Sequence, residues 1–284
     1  MTRAAAFFDL DKTVIAKSST LAFGRPFFHG GLINRRAVLK TAYAQLVFSL
    51  AGADAQQMAR LRAQLTAMVT GWDAATVHEI VHETLHEIVD PLIYAEAADL
   101  IEEHRAAGRE IVIVSSSGAE MVEPIGEMLG VDRVVATRMI VADGHYTGEI
   151  EFYAYGENKA EAMRRVAAEG GYDLADCYAY SDSVTDLPML TAVGHPTAVN
   201  PDRALRKAAF ERGWPVLQFV RPVSMRARFS APPTPVVTGA AMGVGAAVVG
   251  LAWYARHRAL RSGPAASGLN APGPLSGRRR RRGA

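Results

Sequence analysis

Residues 7–13 read FFDLDKT, and they place two carboxylates, Asp9 and Asp11, directly after a short apolar segment. Residues 4–8 are uninterruptedly apolar, which predicts a buried β-strand close to the start of the chain. Open α/β sheets bind ligands at the carboxyl ends of their strands, so both carboxylates are expected at that edge. Side chains alternate along a strand, and therefore Asp9 and Asp11 are expected on the same side.

Two carboxylates at this spacing provide one group that can attack phosphorus and a second that can move protons. The pair therefore suggests phosphoryl transfer through an aspartyl-phosphate. An Asp-x-Asp pair can equally cap the following helix or bind water, so other residues have to decide between these readings.

A second buried strand is predicted at residues 109–115, REIVIVS, because the segment is apolar and rich in β-branched residues. It ends in the hydroxyl cluster Ser115, Ser116 and Ser117, which suits the binding of phosphate oxygens. Lys159 lies at the start of a predicted helix over residues 158–169 and supplies a positive charge. A single lysine on a helix is more often solvated, so its place in the series gives it weight.

A third strand is predicted at residues 178–180, and two more carboxylates, Asp182 and Asp186, follow it. The order along the chain is Asp-x-Asp, Ser, Lys and then Asp-x-x-x-Asp. This order resembles the four motifs of the haloacid dehalogenase superfamily of aspartate-nucleophile phosphohydrolases. The narrower resemblance is to subfamily IB, its phosphoserine phosphatase-like branch.

The narrower resemblance rests on residues 180–190 (YSDSVTDLPML), 199–202 (VNPD) and 212–215 (RGWP). It covers about residues 4 to 219. Ser181 departs from the pattern, because the family usually has glycine before the metal-binding aspartate. Both carboxylates of the motif are nevertheless in place.

The resemblance implies that Asp9 is the nucleophile and that Asp11 is the general acid and base. It also implies a Mg²⁺ site formed by Asp9, the main-chain carbonyl of Asp11 and the carboxylate of Asp182. A divalent cation is physically reasonable, because two carboxylates would otherwise repel a phosphate dianion.

Phosphate oxygens are expected, on the same resemblance, to be bound by Ser115, Ser116 and Lys159. These groups would stabilise the charge of the transition state. Asp186 is expected next to the metal site, where it would orient a metal-bound water or Lys159.

The predicted fold is α/β, a three-layer Rossmann-like core with a parallel sheet and a helical C1-type cap inserted after the first strand. The core is assigned to residues 1–17 and 96–220, and the cap to residues 18–95. Apolar residues at spacings of three and four predict cap helices at 35–50, 56–69 and 74–89. In the family such a cap closes over the active site and selects the substrate.

Two local features outside the cap are also predicted. Residues 93–107 are expected to form a helix that ends at Gly108. Asp143 and Gly144 are expected to turn a β-hairpin whose second strand is residues 146–152.

The cap sequence contains His-Glu-x-x-His twice, in residues 78–86, which is the helical motif of zinc metalloproteases. The apolar stripe of the same helix places His78, His82 and His86 on the opposite side, together with glutamates. An ordinary solvated helix face is therefore expected, and metal binding by these histidines is left open.

The composition changes after residue 220. Residues 221–235 form a basic, proline-containing linker, and residues 236–255 are uncharged over a length that can span a bilayer. They are predicted as a transmembrane helix, with a flexible Ala- and Gly-rich linker as the alternative. Residues 256–284 are predicted to be a disordered basic tail.

Localisation and partners follow from charge and cysteine content. A single cysteine and the lack of an apolar export signal before Asp9 predict a cytoplasmic catalytic domain, anchored to the cell membrane by its C-terminal segment. The net charge is only +2 and the strongest basic cluster, residues 278–282, lies in the tail, so no nucleic-acid partner is predicted. The oligomeric state is not indicated.

The function predicted from these features is Mg²⁺-dependent hydrolysis of a small phosphomonoester, such as a phosphoserine-like metabolite, glycerol phosphate or lysolipid phosphate. In phosphoserine phosphatases an acidic residue in this stretch binds the amine of the substrate. Residues 17–20, KSST, contain no acidic residue, and this argues against phosphoserine itself as the substrate. Two alternatives remain open: a phosphotransferase or mutase with the same intermediate, and a non-catalytic membrane-localised binding protein.

Overall fold

The computed structural model of the chain describes residues 3–33, 63 and 66–224, which lie within one compact unit, Met1–Ala231. Within these residues, no helix combines the length and the apolar character that crossing a bilayer requires. Several predicted segments lie outside the described residues: the helix at 35–50, most of the helix at 56–69, most of the linker at 221–235, the transmembrane span at 236–255 and the tail at 256–284.

One seven-stranded sheet organises the described part of the chain. Its strands are β1 (Ala5–Phe8), β2 (Glu110–Gly118), β3 (Arg133–Ala142), β4 (His145–Phe152), β5 (Tyr178–Ser181), β6 (His195–Val199) and β7 (Val216–Leu217). The order across the sheet is β4-β3-β2-β1-β5-β6-β7. Neighbouring strands are parallel except β4, which pairs antiparallel with β3. The predicted α/β fold with a parallel sheet is confirmed.

Helices flank this sheet in the described ranges. They are α1 (Ser19–Ala22), α2 (Gly24–His29), α3 (Ala74–Ile88), α4 (Ala95–Ala106), α5 (Ala119–Leu129), α6 (Glu157–Gly170), α7 (Leu187–Thr191) and α8 (Arg203–Arg212). Short 3₁₀ turns occupy Asp90–Leu92, Leu174–Asp176 and Val184–Asp186.

The first strand is buried on both faces, which explains its uninterrupted apolar sequence. Ala5 and Phe7 pack into a cluster with side chains of α6, α7 and α8. Ala6 and Phe8 point to the other side, into a cluster with side chains of α3, α4 and α5. Helices thus cover both faces of the sheet, as a three-layer architecture requires.

The predicted hairpin forms between β3 and β4. Asp143 and Gly144 have φ values of 49° and 78°, the pair of positive angles that a two-residue type I′ turn requires. The predicted helix after Asp90 begins later than expected, at Ala95, because Asp90–Leu92 form a 3₁₀ turn and Ile93 and Tyr94 are extended.

The helix α3 presents its histidines to solvent, as predicted. Val77, Val81 and Leu85 are buried, whereas His78, His82 and His86 are exposed. The ring centroids of His78 and His82 lie 4.2 Å apart, as expected for neighbours one turn apart on an exposed helix.

The two connections of the predicted cap lie side by side. Ala16 N donates to Leu92 O at 2.8 Å, and Tyr94 N donates to Val14 O at 3.0 Å. The core and cap boundaries at residues 17, 18, 95 and 96 stay predictions, but the pairing shows that the chain leaves and returns at one place.

Residues 219–224, here called the C-terminal strap, run beside this return. Val223 N donates to Ile93 O and Ala95 N donates to Arg221 O, both at 2.8 Å. The start of the strap is held by Asn200, whose Nδ2 donates to Phe219 O at 3.0 Å and whose Oδ1 accepts from Phe219 N at 3.0 Å. Asn200 has a φ of 44°, in the left-handed region that asparagine tolerates well.

We expect Asn200→Ala to lower the free energy of unfolding by about 1–3 kcal/mol, because it removes both side-chain hydrogen bonds to the Phe219 main chain and places alanine at a positive φ. Asn158→Ala is the matched control, since the Asn158 side chain is exposed and makes one contact, to Tyr153 O at 2.9 Å. Urea denaturation of the two variants measures the difference. Equal losses would show that the Asn200 contact does not stabilise the strap.

Candidate active site

The carboxyl ends of β1, β2 and β5 meet at one edge of the sheet and carry the predicted site residues. Asp9 directly follows β1, and its N–H donates to Tyr180 O of β5 at 2.9 Å, so the pairing of these central strands extends to the predicted nucleophile. Asp182 directly follows β5, and Lys159 reaches the same edge from the first turn of α6.

A buried lysine joins two carboxylates in this site. Lys159 Nζ donates to Asp9 Oδ1 at 2.7 Å and to Asp186 Oδ2 at 2.8 Å, and the lysine side chain is only 2% exposed. Burial opposes its charge, but Asp9 and Asp186 outweigh that penalty and raise the pKa of Lys159 above its ordinary value. The lysine is therefore a charged part of the site and not a solvated helix residue.

Two carboxyl groups of this site have raised pKa values, mainly because they are buried. Burial raises the pKa of Asp9 to about 8, with Lys159 lowering it and the charges of Asp186 and Asp182 raising it further. Burial also raises the pKa of Asp182 to about 7, against the attraction of Lys12. Without a further cation the charged forms of both groups are therefore disfavoured.

The carboxylate of Asp11 has different partners from that of Asp9. Ser19 N donates to Asp11 Oδ1 at 2.8 Å, and Ser117 Oγ donates to Asp11 Oδ2 at 2.9 Å. Ser19 Oγ also donates to Ser117 Oγ at 2.9 Å. Asp11 is therefore fixed between the end of β2 and the first helix of the predicted cap.

The serines of β2 separate into buried and exposed positions. Ser115 is 1% exposed, and its Oγ accepts from Ser117 N at 3.2 Å. Ser116 is exposed, and its carbonyl accepts from Thr137 Oγ1 at 2.8 Å. Ser117 is therefore buried together with Ser115. The predicted contact of Ser116 with phosphate stays a prediction.

Three further residues contact the site and were given no role by sequence reasoning. Thr13 Oγ1 donates to Asp9 Oδ2 at 3.2 Å, and Ser181 Oγ donates to Asp186 Oδ2 at 2.7 Å. Ser181 is the departure from the family pattern, so its hydroxyl provides a contact that glycine cannot make. A Thr four residues after the nucleophile was visible in FFDLDKT, but nothing in the sequence indicated its partner.

Asp202 is the third of these residues, and it organises the turn that carries Asp182. Its N–H donates to Asp182 O at 2.8 Å, and its Oδ2 accepts from Val184 N at 2.9 Å. Its Oδ1 accepts from Leu205 N at 2.7 Å, which caps α8. The capping pattern was readable from the sequence, whereas the contact with the Asp182 turn was not.

The donor set predicted for Mg²⁺ can be compared with this geometry. Across the described ranges, no three His, Cys, Asp or Glu side chains gather as a metal-binding cluster. The predicted set needs only two such side chains, Asp9 and Asp182, together with the main-chain carbonyl of Asp11. All three donors are oxygens, which suit Mg²⁺, and a bound cation would favour the charged form of both buried carboxyl groups, whose pKa values are raised.

We expect Lys159→Met to lower the free energy of unfolding by roughly 3–5 kcal/mol near neutral pH, because Asp9 and Asp186 stay buried without their cation. The pKa of Asp9 is about 8 in the folded state and near 4 in an unfolded chain. Between these two pH values folding takes up a proton, so stability falls as the pH rises. Removing the cation strengthens this uptake, and the loss should therefore be larger at about pH 8.5 than at about pH 5.5.

Chemical denaturation in EDTA at both pH values measures this effect. Lys207→Met is the matched control, since Lys207 is exposed and lies 3.8 Å from its partner Glu211. The control should change stability little at either pH. A loss in Lys159→Met that is the same at both pH values would contradict the ionic basis of the site.

Comparison with known proteins identifies relatives over most of the chain. The sequence model of the haloacid dehalogenase-like hydrolases matches residues 6–191. A Streptomyces azureus protein named "Inhibition of morphological differentiation protein" is 65% identical, over 90% of this chain and 94% of its own. A "probable phosphatase" of Mycobacterium tuberculosis is 60% identical, over 90% of both chains. A phosphoserine phosphatase of the same organism is 34% identical, over 86% of this chain and 80% of its own.

Solved structures that match this chain include the following two. A Bordetella pertussis protein of unknown function has a TM-score of 0.68 at 28% identity, over 76% of this chain and 99% of that one. A phosphoserine phosphatase solved as an analogue of its phospho-aspartyl intermediate has a TM-score of 0.56 at 20% identity, over 82% of this chain and all of that one, which shows the shared fold. The chain belongs to the haloacid dehalogenase-like hydrolase family and is a phosphatase of that family.

Proposed function

We propose that this phosphatase hydrolyses small phosphomonoesters through an aspartyl-phosphate formed on Asp9. The observation that carries the proposal is the contact of Lys159 with both Asp9 and Asp186 at the carboxyl end of the central strand. The contact holds a carboxylate in a fixed place beside a positive charge. That arrangement suits attack on a phosphoryl group whose oxygens need the same charge.

In the first half of the reaction, a carboxylate oxygen of Asp9 attacks phosphorus in line with the ester oxygen. The bond between phosphorus and the ester oxygen breaks, and Asp11 gives its proton to the leaving alkoxide. Thr13 and Lys159 each contact one oxygen of Asp9 and so fix the orientation of the attacking group.

In the second half, Asp11 takes a proton from water while the water oxygen attacks phosphorus. The bond between phosphorus and Asp9 breaks, and inorganic phosphate leaves with the carboxylate restored. Ser19 and Ser117 hold the carboxylate of Asp11 from two sides, which keeps the same group in reach for both proton transfers.

Charge stabilisation around the phosphoryl group is assigned to three protein groups and one cation. Lys159, Ser115 and Ser116 would bind phosphate oxygens, and Asp186 would hold Lys159 in place. Mg²⁺ would be held by Asp9, Asp182 and the main-chain carbonyl of Asp11, and when bound it would neutralise part of the negative charge of the phosphoryl group.

The substrate class is proposed to be a small phosphate ester, with phosphoserine-like, glycerol and lysolipid phosphates as the candidates. The M. tuberculosis phosphoserine phosphatase among the relatives supports an amino-acid phosphate. The sequence at residues 17–20 opposes phosphoserine itself, since it has no carboxylate to bind the substrate amine. A panel of amino-acid, sugar, glycerol and lysolipid phosphates, assayed for phosphate release with and without EDTA, tests both the substrate class and the need for a metal.

We expect Asp9→Asn to abolish hydrolysis while the protein remains folded, because an amide oxygen is a poor nucleophile for phosphorus. Phosphate release and covalent labelling by beryllofluoride would both be lost, and circular dichroism would report the fold. Asp143→Asn is the matched control, since Asp143 lies in an exposed turn whose positive φ asparagine tolerates. Retained turnover in Asp9→Asn would remove Asp9 from the nucleophile role.

We expect Asp11→Asn to reduce turnover by about 10²–10⁴-fold, because the variant has no group to protonate the alkoxide or to activate water. With p-nitrophenyl phosphate the leaving group needs no proton, so a burst of nitrophenolate should precede slow turnover as phosphoenzyme accumulates. Rapid-quench measurements would detect that burst. Steady turnover at the unmodified rate would assign the proton transfers to another residue.

A further inference from the structure

The helix α8 separates apolar and charged side chains onto two faces. Its buried side chains are Leu205, Ala208 and Ala209. Its exposed side chains include Arg203, Arg206, Lys207 and Phe210, at spacings of three, four and seven residues from the first. This spacing places the four side chains on one stripe of the helix, here called the α8 surface.

Phe210 makes the α8 surface more than a solvated basic face. It is 88% exposed, the highest exposure among the large hydrophobic side chains of the described residues. Single exposed apolar residues are common on protein surfaces. An aromatic ring that projects into solvent from among three cations is a different arrangement, because it combines charge attraction with an apolar group free to leave water.

The positive charge of the α8 surface is only partly neutralised within the described part of the protein. Lys207 lies 3.8 Å from Glu211, an exposed pair of the kind that contributes little. Arg203 and Arg206 form no ion pair with a described residue. The whole chain carries a formal charge of only +2, so the α8 surface is a local concentration of charge.

We propose that the α8 surface docks on an anionic lipid bilayer. Arg203, Arg206 and Lys207 would lie against the headgroups, and the ring of Phe210 would enter the interface between headgroups and acyl chains. Charge complementarity selects an anionic surface, and Phe210 selects one with an apolar layer beneath it. The phosphate backbone of a nucleic-acid duplex would use the cations alone and leave the phenyl ring exposed, whereas the bases of a single strand would stack on the ring and are tested separately.

One contact fits this orientation. The N-cap residue of α8 is Asp202, whose N–H donates to the carbonyl of Asp182, so the α8 surface begins beside the edge of the sheet that carries the proposed active site. Docking through α8 would therefore hold that edge close to the bilayer.

A single-cysteine label tests this proposal in the full chain. Cys177 is the chain's sole cysteine and is buried, so Phe210→Cys creates one reactive thiol for an environment-sensitive fluorophore. Vesicles of phosphatidylcholine with added phosphatidylserine should increase and blue-shift its emission, and high salt should reverse the change. Vesicles of phosphatidylcholine alone should leave the emission unchanged.

Ala142→Cys is the control position, because Ala142 is exposed at the end of β3 and remote in sequence from α8. Both labelled proteins share residues 225–284, so any membrane contact of that segment is present in both. The label at position 142 should respond to neither type of vesicle. An equal response at both positions, or no response at position 210, would overturn the proposal.

Charge variants separate the docking surface from a general effect of net charge. In the Phe210→Cys background, Arg206→Glu with Lys207→Glu should weaken vesicle binding by at least about 25-fold, since each cation near an anionic surface accounts for roughly fivefold. Arg164→Glu with Arg165→Glu, on exposed positions of α6, is the charge-matched control and should bind as before. All variants should hydrolyse a soluble phosphate ester at the same rate.

A control with nucleic acid completes the experiment. A single-stranded oligonucleotide of mixed sequence should not change the emission of the label at position 210. A response to the oligonucleotide without a response to anionic vesicles would reassign the α8 surface to nucleic-acid binding. Equal weakening by both pairs of charge reversals would likewise refute a defined docking surface.

Discussion

The site depends on one buried cation, the ammonium of Lys159, placed between the carboxylates of Asp9 and Asp186. Burying any of the three charges alone would be costly, and together they are tolerated only if the distances stay short. Lys159 and Asp9 are 150 residues apart in sequence, so the contact forms only when β1, β5 and α6 are all in place. The fold is thereby required to bring the buried carboxyl group of Asp9 next to a positive charge.

Much of this fold is predictable from sequence, because buried segments consist of apolar residues. The strand β1 is apolar at every position since helices cover both of its faces, and the turn at Asp143 and Gly144 requires residues that accept positive φ. The positions of Asp9, Asp182 and Lys159 follow from strand ends and motif order. Their convergence was predicted for the same reason, since parallel strands end at one edge.

The contacts between side chains were harder to predict, because no periodicity encodes them. A buried Lys159 has the same sequence appearance as a solvated helix lysine. Among three consecutive serines, the pleat of β2 decides that Ser115 and Ser117 are buried and that Ser116 is exposed. The pairing of the C-terminal strap with Ile93 and Ala95 uses main-chain groups, and these are the same in every residue type.

Hydrogen bonds from two side chains connect the edge of the sheet that carries the proposed active site to the end of the described chain. The turn of Asp182 is held by Asp202, two residues from Asn200, and Asn200 holds the start of the C-terminal strap. The strap in turn pairs with the return connection of the predicted cap. A displacement of the strap would therefore act on two places at once, the turn that carries a proposed metal ligand and the base of the cap.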